Sequence, residues 1–212
     1  MTDIAPDTDL HTHATPDGSE ASVSEAGGRP VFLLPGWLNS DPDHWQSLWE
    51  RRHGDQRVEQ ADWSWPRRGD WMARLDEVLQ QDTRLDTQPA LLVAHSLGCQ
   101  LVASWAKHSQ HTRRVAGALI VAPPDTERDD MPPQLHNWKP IRRSRLPFPS
   151  VMVVSTNDPY CSLERATEMA ADWGSEVVIA GPLGHLNTAS GLGEWPEGRA
   201  LLHRIADNRA PW

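Results

Sequence analysis

The chain has 212 residues, a length that suits one substantial domain, and a formal net charge of −9 at pH 7. Because the charge balance is acidic, nucleic acid is not expected as a partner. Two cysteines, Cys99 and Cys161, are too few for a disulfide framework, no apolar run is long enough to cross a bilayer, and the N-terminal stretch lacks the basic and apolar regions of a signal peptide. These features predict a cytoplasmic protein that does not bind membranes.

Residues 1–28 differ in composition from the rest of the chain. They are acidic, contain no Lys or Arg, and show no periodic apolar positions. Such a composition predicts a disordered tail. His11 and His13 could pair on a metal ion, but two unrelated histidines in a tail are the simpler interpretation. We therefore expect no metal site and no cofactor, and we predict that the folded domain spans residues 29–212.

From residue 30 onward, short apolar runs alternate with stretches of helical periodicity. The apolar runs predict strands at residues 30–34, 58–63, 90–95, 115–122, 151–154 and 176–180. This alternation predicts a mostly parallel sheet with helices on both faces.

The helical stretches have recognisable starting signals. The first is predicted to begin at Asp41 and Pro42, an acceptor at the cap followed by proline at the first helical position. Asp70 is predicted to cap the second, a third follows Ser96, and two more are predicted at 162–173 and 196–206. Residues 125–149 are charged and rich in proline, and they predict an excursion over the strand ends with no clear helix.

The stretch Ala94-His95-Ser96-Leu97-Gly98 joins a predicted strand directly to a predicted helix. A serine between small residues at such a junction is typical of a nucleophile elbow, although Ala94 stands where the G-x-S-x-G pattern has glycine. The alternative role for Ser96 is an ordinary helix cap. Reactive groups in parallel sheets gather beyond the carboxyl ends of the strands, so the partners of a nucleophilic Ser96 are expected there.

Two later strands are followed by residues that would complete a catalytic triad. His185 follows the last predicted strand in a glycine-flanked loop, and Asp158 follows the strand before it. We predict that Ser96 is the nucleophile, His185 its base and Asp158 the acid that orients the imidazole. Asp125, one strand earlier, is the alternative acid. His95 is predicted to line the elbow, not to act as the base, and Cys99 is predicted to be buried and inert.

Backbone N–H groups are expected to stabilise the oxyanion. One is that of Leu97, which follows the nucleophile, and the other is that of Trp37 in the loop after the first strand. Gly36 would let that loop turn so that the Trp37 amide faces the pocket. The side chains of Trp37 and His95 are predicted to line the substrate pocket. Trp138 and Trp195 are further pocket candidates, with packing in the core as the alternative for both.

The sequence resembles the YdeN-like small serine hydrolases, the family that includes the retinoblastoma-binding serine hydrolase. The resemblance covers about residues 30–207 and rests on five motifs: Phe32-Leu33-Leu34-Pro35-Gly36-Trp37, Asp43-His44-Trp45, Ala94-His95-Ser96-Leu97-Gly98, Ser155-Thr156-Asn157-Asp158-Pro159-Tyr160 and Gly184-His185-Leu186-Asn187. It implies a compact α/β-hydrolase fold with a minimal cap, the triad Ser96, Asp158 and His185, and hydrolysis of small acyl esters or amides. The family's protein-binding role belongs to an animal member, and the segment responsible is not recognisable in this chain.

We therefore predict a cofactor-free serine hydrolase that cleaves a small carboxylic ester through an acyl-enzyme. A serine peptidase or amidase is the nearest alternative, because the same triad serves both reactions. A protein-binding module on a hydrolase scaffold is the alternative from another class. The sequence does not identify a protein partner.

Overall fold

The computed structural model describes residues 28–207, so the predicted tail, with His11 and His13, lies outside the described residues except for Gly28. Within this range, six strands form one sheet: β1 (Val31–Leu34), β2 (Gln56–Arg57), β3 (Ala90–His95), β4 (Val115–Val121), β5 (Ser150–Val154) and β6 (Glu176–Ile179). Their spatial order is β2-β1-β3-β4-β5-β6, and every neighbouring pair is parallel. The carboxyl ends of all six strands therefore meet at one edge of the sheet.

Helices cover both faces of the sheet. The described part of the chain contains five α-helices: α1 (Trp45–His53), α2 (Arg68–Gln81), α3 (Leu97–His108), α4 (Leu163–Trp173) and α5 (Pro196–Ala206). Successive side chains of a strand point to opposite faces, so Phe32 and Leu34 pack with α2, α3 and α4, whereas Val31 and Leu33 pack with α1 and α5. The predicted α/β class with a covered parallel sheet is confirmed.

The first helix begins three residues later than its starting signal predicts. Asp41 uses its carboxylate to accept the backbone N–H of Asp43 at 2.9 Å, which closes a turn ahead of the helix. His44 then caps α1, because its Nδ1 accepts the backbone N–H of Gln46 at 3.1 Å. The prediction that Asp41 is the cap is wrong, since its side chain is used in that turn.

Two other local predictions are also wrong. The second strand is only Gln56–Arg57 and ends where residues 58–63 were expected to form one. After Val58 donates its N–H to the Leu33 carbonyl at 2.9 Å, the chain leaves the sheet. Asp70 lies inside the first turn of α2, and the residue at the cap position is Arg67.

The segment between β4 and β5 follows the predicted excursion, with one short 3-10 helix at Pro133–Trp138. Further 3-10 turns lie at Thr83–Asp86, Thr112–Arg114 and Thr188–Ser190. Within residues 28–207, no helix combines the length and the apolar character that crossing a membrane requires.

Candidate active site

Ser96 lies on a sharp turn between β3 and α3. Its backbone φ is 53° and its ψ is −124°, a conformation that non-glycine residues rarely adopt and that is characteristic of strained functional turns. Gly98 allows the turn to pack against β1, because a Cβ at that position would lie 2.1 Å from the Leu34 carbonyl oxygen. Among the described residues, the Ser96 side chain makes no capping hydrogen bond to α3. The hydroxyl is therefore not used as a helix cap, the alternative that the sequence left open.

The structure brings Ser96, His185 and Asp158 into one chain of hydrogen bonds. The Nε2 of His185 lies 2.8 Å from the Oγ of Ser96. The Nδ1 of the same ring lies 3.0 and 2.9 Å from the two carboxylate oxygens of Asp158. Since a carboxylate only accepts, the matching neutral tautomer carries its proton on Nδ1 and leaves Nε2 free to accept from the Ser96 hydroxyl. The arrangement can transfer a proton from the serine to the histidine.

The loops that carry Asp158 and His185 are tied to each other. The Asn157 side-chain oxygen accepts the backbone N–H of Gly184 at 2.7 Å. The Ser155 hydroxyl accepts the N–H of Leu183 at 3.0 Å and donates to the Gly181 carbonyl at 3.1 Å. These bonds fix the position of one loop relative to the other, so the distance between the Asp158 carboxylate and the His185 ring is maintained.

Sequence reasoning missed two side chains that hold the His185 loop by hydrogen bonds to its backbone. The Nε2–H of His95 donates to the His185 carbonyl at 2.9 Å, and the indole N–H of Trp45 donates to the Leu186 carbonyl, also at 2.9 Å. Burial lowers the pKa of His95 well below its ordinary value, so its ring remains a neutral donor. The only hint of these contacts in the sequence is that His95 and Trp45 both belong to motifs shared with the YdeN-like hydrolases.

The other residues considered for catalysis, Asp125 and the cysteines, have different surroundings. The carboxylate of Asp125 is paired with the guanidinium of Arg165, with 3.2 Å between Oδ2 and Nε. The prediction that Cys99 is buried is confirmed, and burial raises the pKa of its thiol. Cys161 is also buried, and burial raises its pKa to about 12. Neither thiol is therefore a competing nucleophile at neutral pH.

The loop after β1 packs directly against the elbow. A Cβ at Gly36 would lie 2.7 Å from the Ser96 Cβ and 3.1 Å from its Oγ, so only glycine permits this approach. Trp37, next in the loop, and Leu97, the first residue of α3, line the same cavity as Ser96. The N–H groups of a first helical turn have no acceptor within the helix. The backbone of Leu97 is thus placed to donate to a ligand beside Ser96.

A cavity of about 410 Å³ opens above Ser96 and His185. One group of its lining residues is polar and comes from the loop after β1, the start of α1, the end of β3 and the loop after His185: Asn39, Asp41, His44, His95 and Asn187. The other group is mainly apolar and includes Pro124, Met131, Pro132, Leu135, Pro159 and Tyr160. Trp37 and His95, the two residues predicted to line the pocket, both contribute to the lining of this cavity.

The wall that carries Met131 and Leu135 is anchored to α2. The guanidinium of Arg68 donates to three successive carbonyl oxygens, those of Trp138, Lys139 and Pro140, at 3.0 to 3.1 Å. This side of the cavity is therefore fastened to the main body of the domain.

The structure contradicts the prediction that Trp138 and Trp195 line the pocket. Trp138 is 1% exposed, packs edge-on against Trp71 and donates its indole N–H to the Pro66 carbonyl at 2.9 Å. Trp195 is 4% exposed and packs against Trp45 with 5.0 Å between ring centroids. Both indoles pack in the core, which is the alternative that the sequence left open for them.

Within residues 28–207, no cluster of three or more His, Cys, Asp or Glu side chains has an arrangement that could hold a metal ion.

Comparison with known proteins gives a family. The sequence model described as "serine hydrolase" matches residues 31–204. A YdeN-like hydrolase of Pectobacterium atrosepticum superposes with a TM-score of 0.75 at 31% identity, over 90% of this chain and 97% of that one. A comparison with curated protein sequences finds no match.

More distant structures share the fold. The ydeN gene product of B. subtilis has a TM-score of 0.66 at 18% identity, covering 84% of this chain and 99% of its own. A carboxylesterase of Bacillus cereus has a TM-score of 0.58 at 15% identity, covering 89% and 92%. The resemblance to YdeN-like hydrolases is confirmed by the 31% identical structure and the family match together. The family match covers most of the described domain, and the fold agrees with it: a parallel sheet with helices on both faces and a serine on the turn after β3. This chain is therefore a hydrolytic enzyme of the serine hydrolase family, in the α/β-hydrolase superfamily.

Proposed function

We propose that the protein is a carboxylesterase that cleaves small acyl esters, with Ser96 as nucleophile, His185 as general base and Asp158 as the orienting acid. The observation that carries the proposal is the 2.8 Å contact between the Ser96 hydroxyl and His185 Nε2, in a ring held on its other side by Asp158. A serine hydroxyl becomes an effective nucleophile only when such a base takes its proton.

In the proposed reaction, Ser96 Oγ attacks the acyl carbon while its proton passes to His185 Nε2. The carbonyl oxygen becomes an oxyanion, which the backbone N–H groups of Trp37 and Leu97 stabilise. As the intermediate collapses, the bond to the alcohol breaks and His185 returns the proton to the leaving alkoxide. A water molecule, deprotonated by His185, then attacks the acyl-enzyme, releasing the carboxylic acid and restoring the Ser96 hydroxyl.

The size and lining of the cavity favour small substrates. Its volume of about 410 Å³ lies at the lower end of the range common for small-molecule sites, and its mainly apolar wall suits a short acyl chain. Esters with two to four acyl carbons are therefore the proposed substrates. The proposed setting is a reducing compartment such as the cytoplasm, where the buried thiols of Cys99 and Cys161 stay free.

The experiment combines covalent labelling with ester turnover. A fluorophosphonate should label the wild-type protein at Ser96, and Ser96→Ala should abolish labelling and lower kcat for p-nitrophenyl butyrate by roughly 10⁴-fold or more. Ser175→Ala is the matched control, because Ser175 lies at the opposite edge of the sheet, where β5 and β6 begin. Its hydroxyl is 2.7 Å from that of Ser150, the first residue of β5. A wild-type protein that neither reacts with the probe nor cleaves the ester would favour a binding module.

Amide cleavage is the second reaction that this triad could perform. The matching p-nitroanilide, with the same acyl group, differs from the ester only in its leaving group. We expect faster turnover of the ester, and the opposite order would identify an amidase.

A further inference from the structure

His44 is a buried ring at the cavity that the proposed mechanism does not use. It is 3% exposed and lines the cavity together with Ser96 and His185. Its ring centroid lies 4.7 Å from that of His95, which in turn lies 5.0 Å from that of His185. His44 is therefore two rings away from the reacting base, within reach of a small ligand in the same cavity.

The contacts of His44 fix its tautomer. Its Nδ1 accepts the backbone N–H of Gln46 as the cap of α1, so this nitrogen carries no proton. A neutral imidazole has one N–H, which must then be on Nε2. The pKa of His44 is lowered to about 4, chiefly by burial; the charge of Asp41 opposes the shift, and those of Arg57 and His185 add to it. At neutral pH the ring is an uncharged donor.

Among the described residues, this donor has no partner. The Nε2 of His44 is buried and makes no hydrogen bond within residues 28–207. A buried polar group without a partner is destabilising, and in native proteins such groups are few and often functional. Because neighbouring atoms cover Nε2, an oxygen atom of a ligand in the cavity would satisfy it after a small shift of the lining.

The neighbouring polar side chains also have donors left for a ligand. The side-chain oxygen of Asn39 is used by the backbone N–H of Ser40 and by Arg57, which leaves the NH₂ group of Asn39 as a donor. The side-chain oxygen of Asn187 likewise accepts the backbone N–H of Ala189. Asn39, His44 and Asn187 therefore offer donors to a ligand oxygen, whereas the carboxylate of Asp41 already accepts the N–H of Asp43 and the hydroxyl of Thr188.

We propose that His44 is a specificity-determining residue that donates its Nε2–H to a substrate oxygen outside the reacting ester group. The preferred substrates are then short esters with an additional hydroxyl, ether or carbonyl oxygen. This inference rests on the proposed esterase function and names the class of ester within it. The additional oxygen belongs either to the alcohol or to the acyl part, and the experiment separates the two.

The test compares three esters of similar size: propyl butyrate, 2-hydroxyethyl butyrate and propyl 3-hydroxybutyrate. One of the two hydroxylated esters should exceed propyl butyrate in kcat/KM by roughly tenfold, the effect of one hydrogen bond to an otherwise unpaired buried donor. The identity of the better ester assigns the oxygen to the alcohol or to the acyl group.

Two substitutions separate the two nitrogens of His44. His44→Asn keeps an acceptor where Nδ1 caps α1 but removes the Nε2 donor. In this variant, the ratio of kcat/KM for the better hydroxylated ester to that for propyl butyrate should fall to the value set by the intrinsic reactivity of the two esters. His44→Gln places an NH₂ group near the position of Nε2 and should recover part of the preference.

Equal turnover of all three esters by the wild-type protein, or an unchanged ratio in His44→Asn, would overturn the proposal. Labelling of Ser96 by a fluorophosphonate is measured on the same preparations. If Ser96 reacts and the ester preference is missing, only the role of His44 is refuted. If Ser96 does not react at all, the esterase function itself fails.

Discussion

The ring of His95 and the backbone of His185 are joined by a hydrogen bond of 2.9 Å between Nε2 and the carbonyl oxygen. The residue that precedes the proposed nucleophile thus supports the loop that carries its proposed base, although 90 positions separate them in the chain. The Ser96 turn and the His185 loop are therefore positioned by one another, and a disturbance of this bond should reach both.

Removing the His95 donor should misplace the base. In His95→Phe the buried His185 carbonyl loses its partner, so we expect a loss of about 1–3 kcal/mol in unfolding free energy. Because small misplacements of catalytic groups are costly, kcat should fall by about 10- to 100-fold. His95→Gln retains an N–H near the position of Nε2 and should rescue most of kcat. Steady-state kinetics and urea denaturation check both variants, and a wild-type kcat in His95→Phe would contradict the positioning role.

A methyl group at Gly36 should displace the loop that carries the Trp37 amide. Its Cβ would lie 2.7 Å from the Ser96 Cβ, and loss of one oxyanion donor typically costs about 10²–10³-fold in rate. Gly36→Ala should therefore lose kcat on this scale. Gly69→Ala in α2 is the control, because, apart from its chain neighbours and the backbone of its own helix, no atom of the described residues lies within 4 Å of the added Cβ. That variant should keep its activity and gain about 0.5–1 kcal/mol of stability. Equal kcat in the two variants would refute the proposed role of the loop.

The choice between Asp158 and Asp125 as the acid can be made by amide substitution. Asp158→Asn replaces the acceptor of the Nδ1 proton of His185 and favours the wrong tautomer, so kcat should fall by roughly 10⁴-fold. Asp125→Asn weakens the contact with Arg165, which also pairs with Glu127 and Glu168, and its amide oxygen can still accept the backbone N–H of Glu127; kcat should remain near the wild-type value. A larger loss in Asp125→Asn than in Asp158→Asn would reverse the assignment.

Acid should destabilise the protein through His44. Its pKa is about 4 in the folded state against an ordinary value of 6.5, so between these values the unfolded chain binds a proton that the folded protein does not. Unfolding free energy must then fall as the pH is lowered through this window, by about 3 kcal/mol at roughly 1.4 kcal/mol per pKa unit.

His44→Asn isolates this contribution, because His95 and the carboxylates titrate in both proteins. Between pH 7 and pH 4, the wild-type protein should lose about 3 kcal/mol more unfolding free energy than the variant. Urea denaturation at the two pH values measures the difference, and parallel losses in both proteins would show that the ring is not held neutral.

The arrangement of the sheet and the elbow could be predicted because it depends on local signals. Buried apolar runs mark the strands, and in a parallel sheet their carboxyl ends must share an edge, which brings the segments after β3, β5 and β6 together. Helix α5 was predicted with its observed bounds, Pro196–Ala206, since proline at the first helical position is a strong local signal. Ser162 likewise caps α4 through a bond of 3.1 Å to the N–H of Arg165.

The features that sequence analysis missed depend on contacts between distant segments. Spacing alone does not say whether an indole faces a cavity or another ring, so it leaves Trp138 and Trp195 as candidates for either place; contacts with Trp71 and Trp45 put both in the core. Both Asp41 and His44 can accept a helix N–H, but the two carboxylate oxygens of Asp41 accept instead from the Asp43 N–H and from the hydroxyl of the distant Thr188. The proposed role of His44 depends on which of its nitrogens carries the proton, and that is set by the contact of Nδ1 with the Gln46 N–H, which sequence patterns do not reveal.

The three carbonyl bonds of Arg68 have a consequence for how the enzyme meets its substrate. Because these bonds fasten the apolar wall, we expect that wall to move little, and contact with an oil–water boundary should not open the cavity further. With tributyrin, hydrolysis should rise smoothly to saturation and show no sudden acceleration where the ester exceeds its solubility and forms droplets. A smooth rise would indicate an enzyme that acts on dissolved esters, whereas a sudden acceleration would indicate one that acts at the surface of a lipid phase.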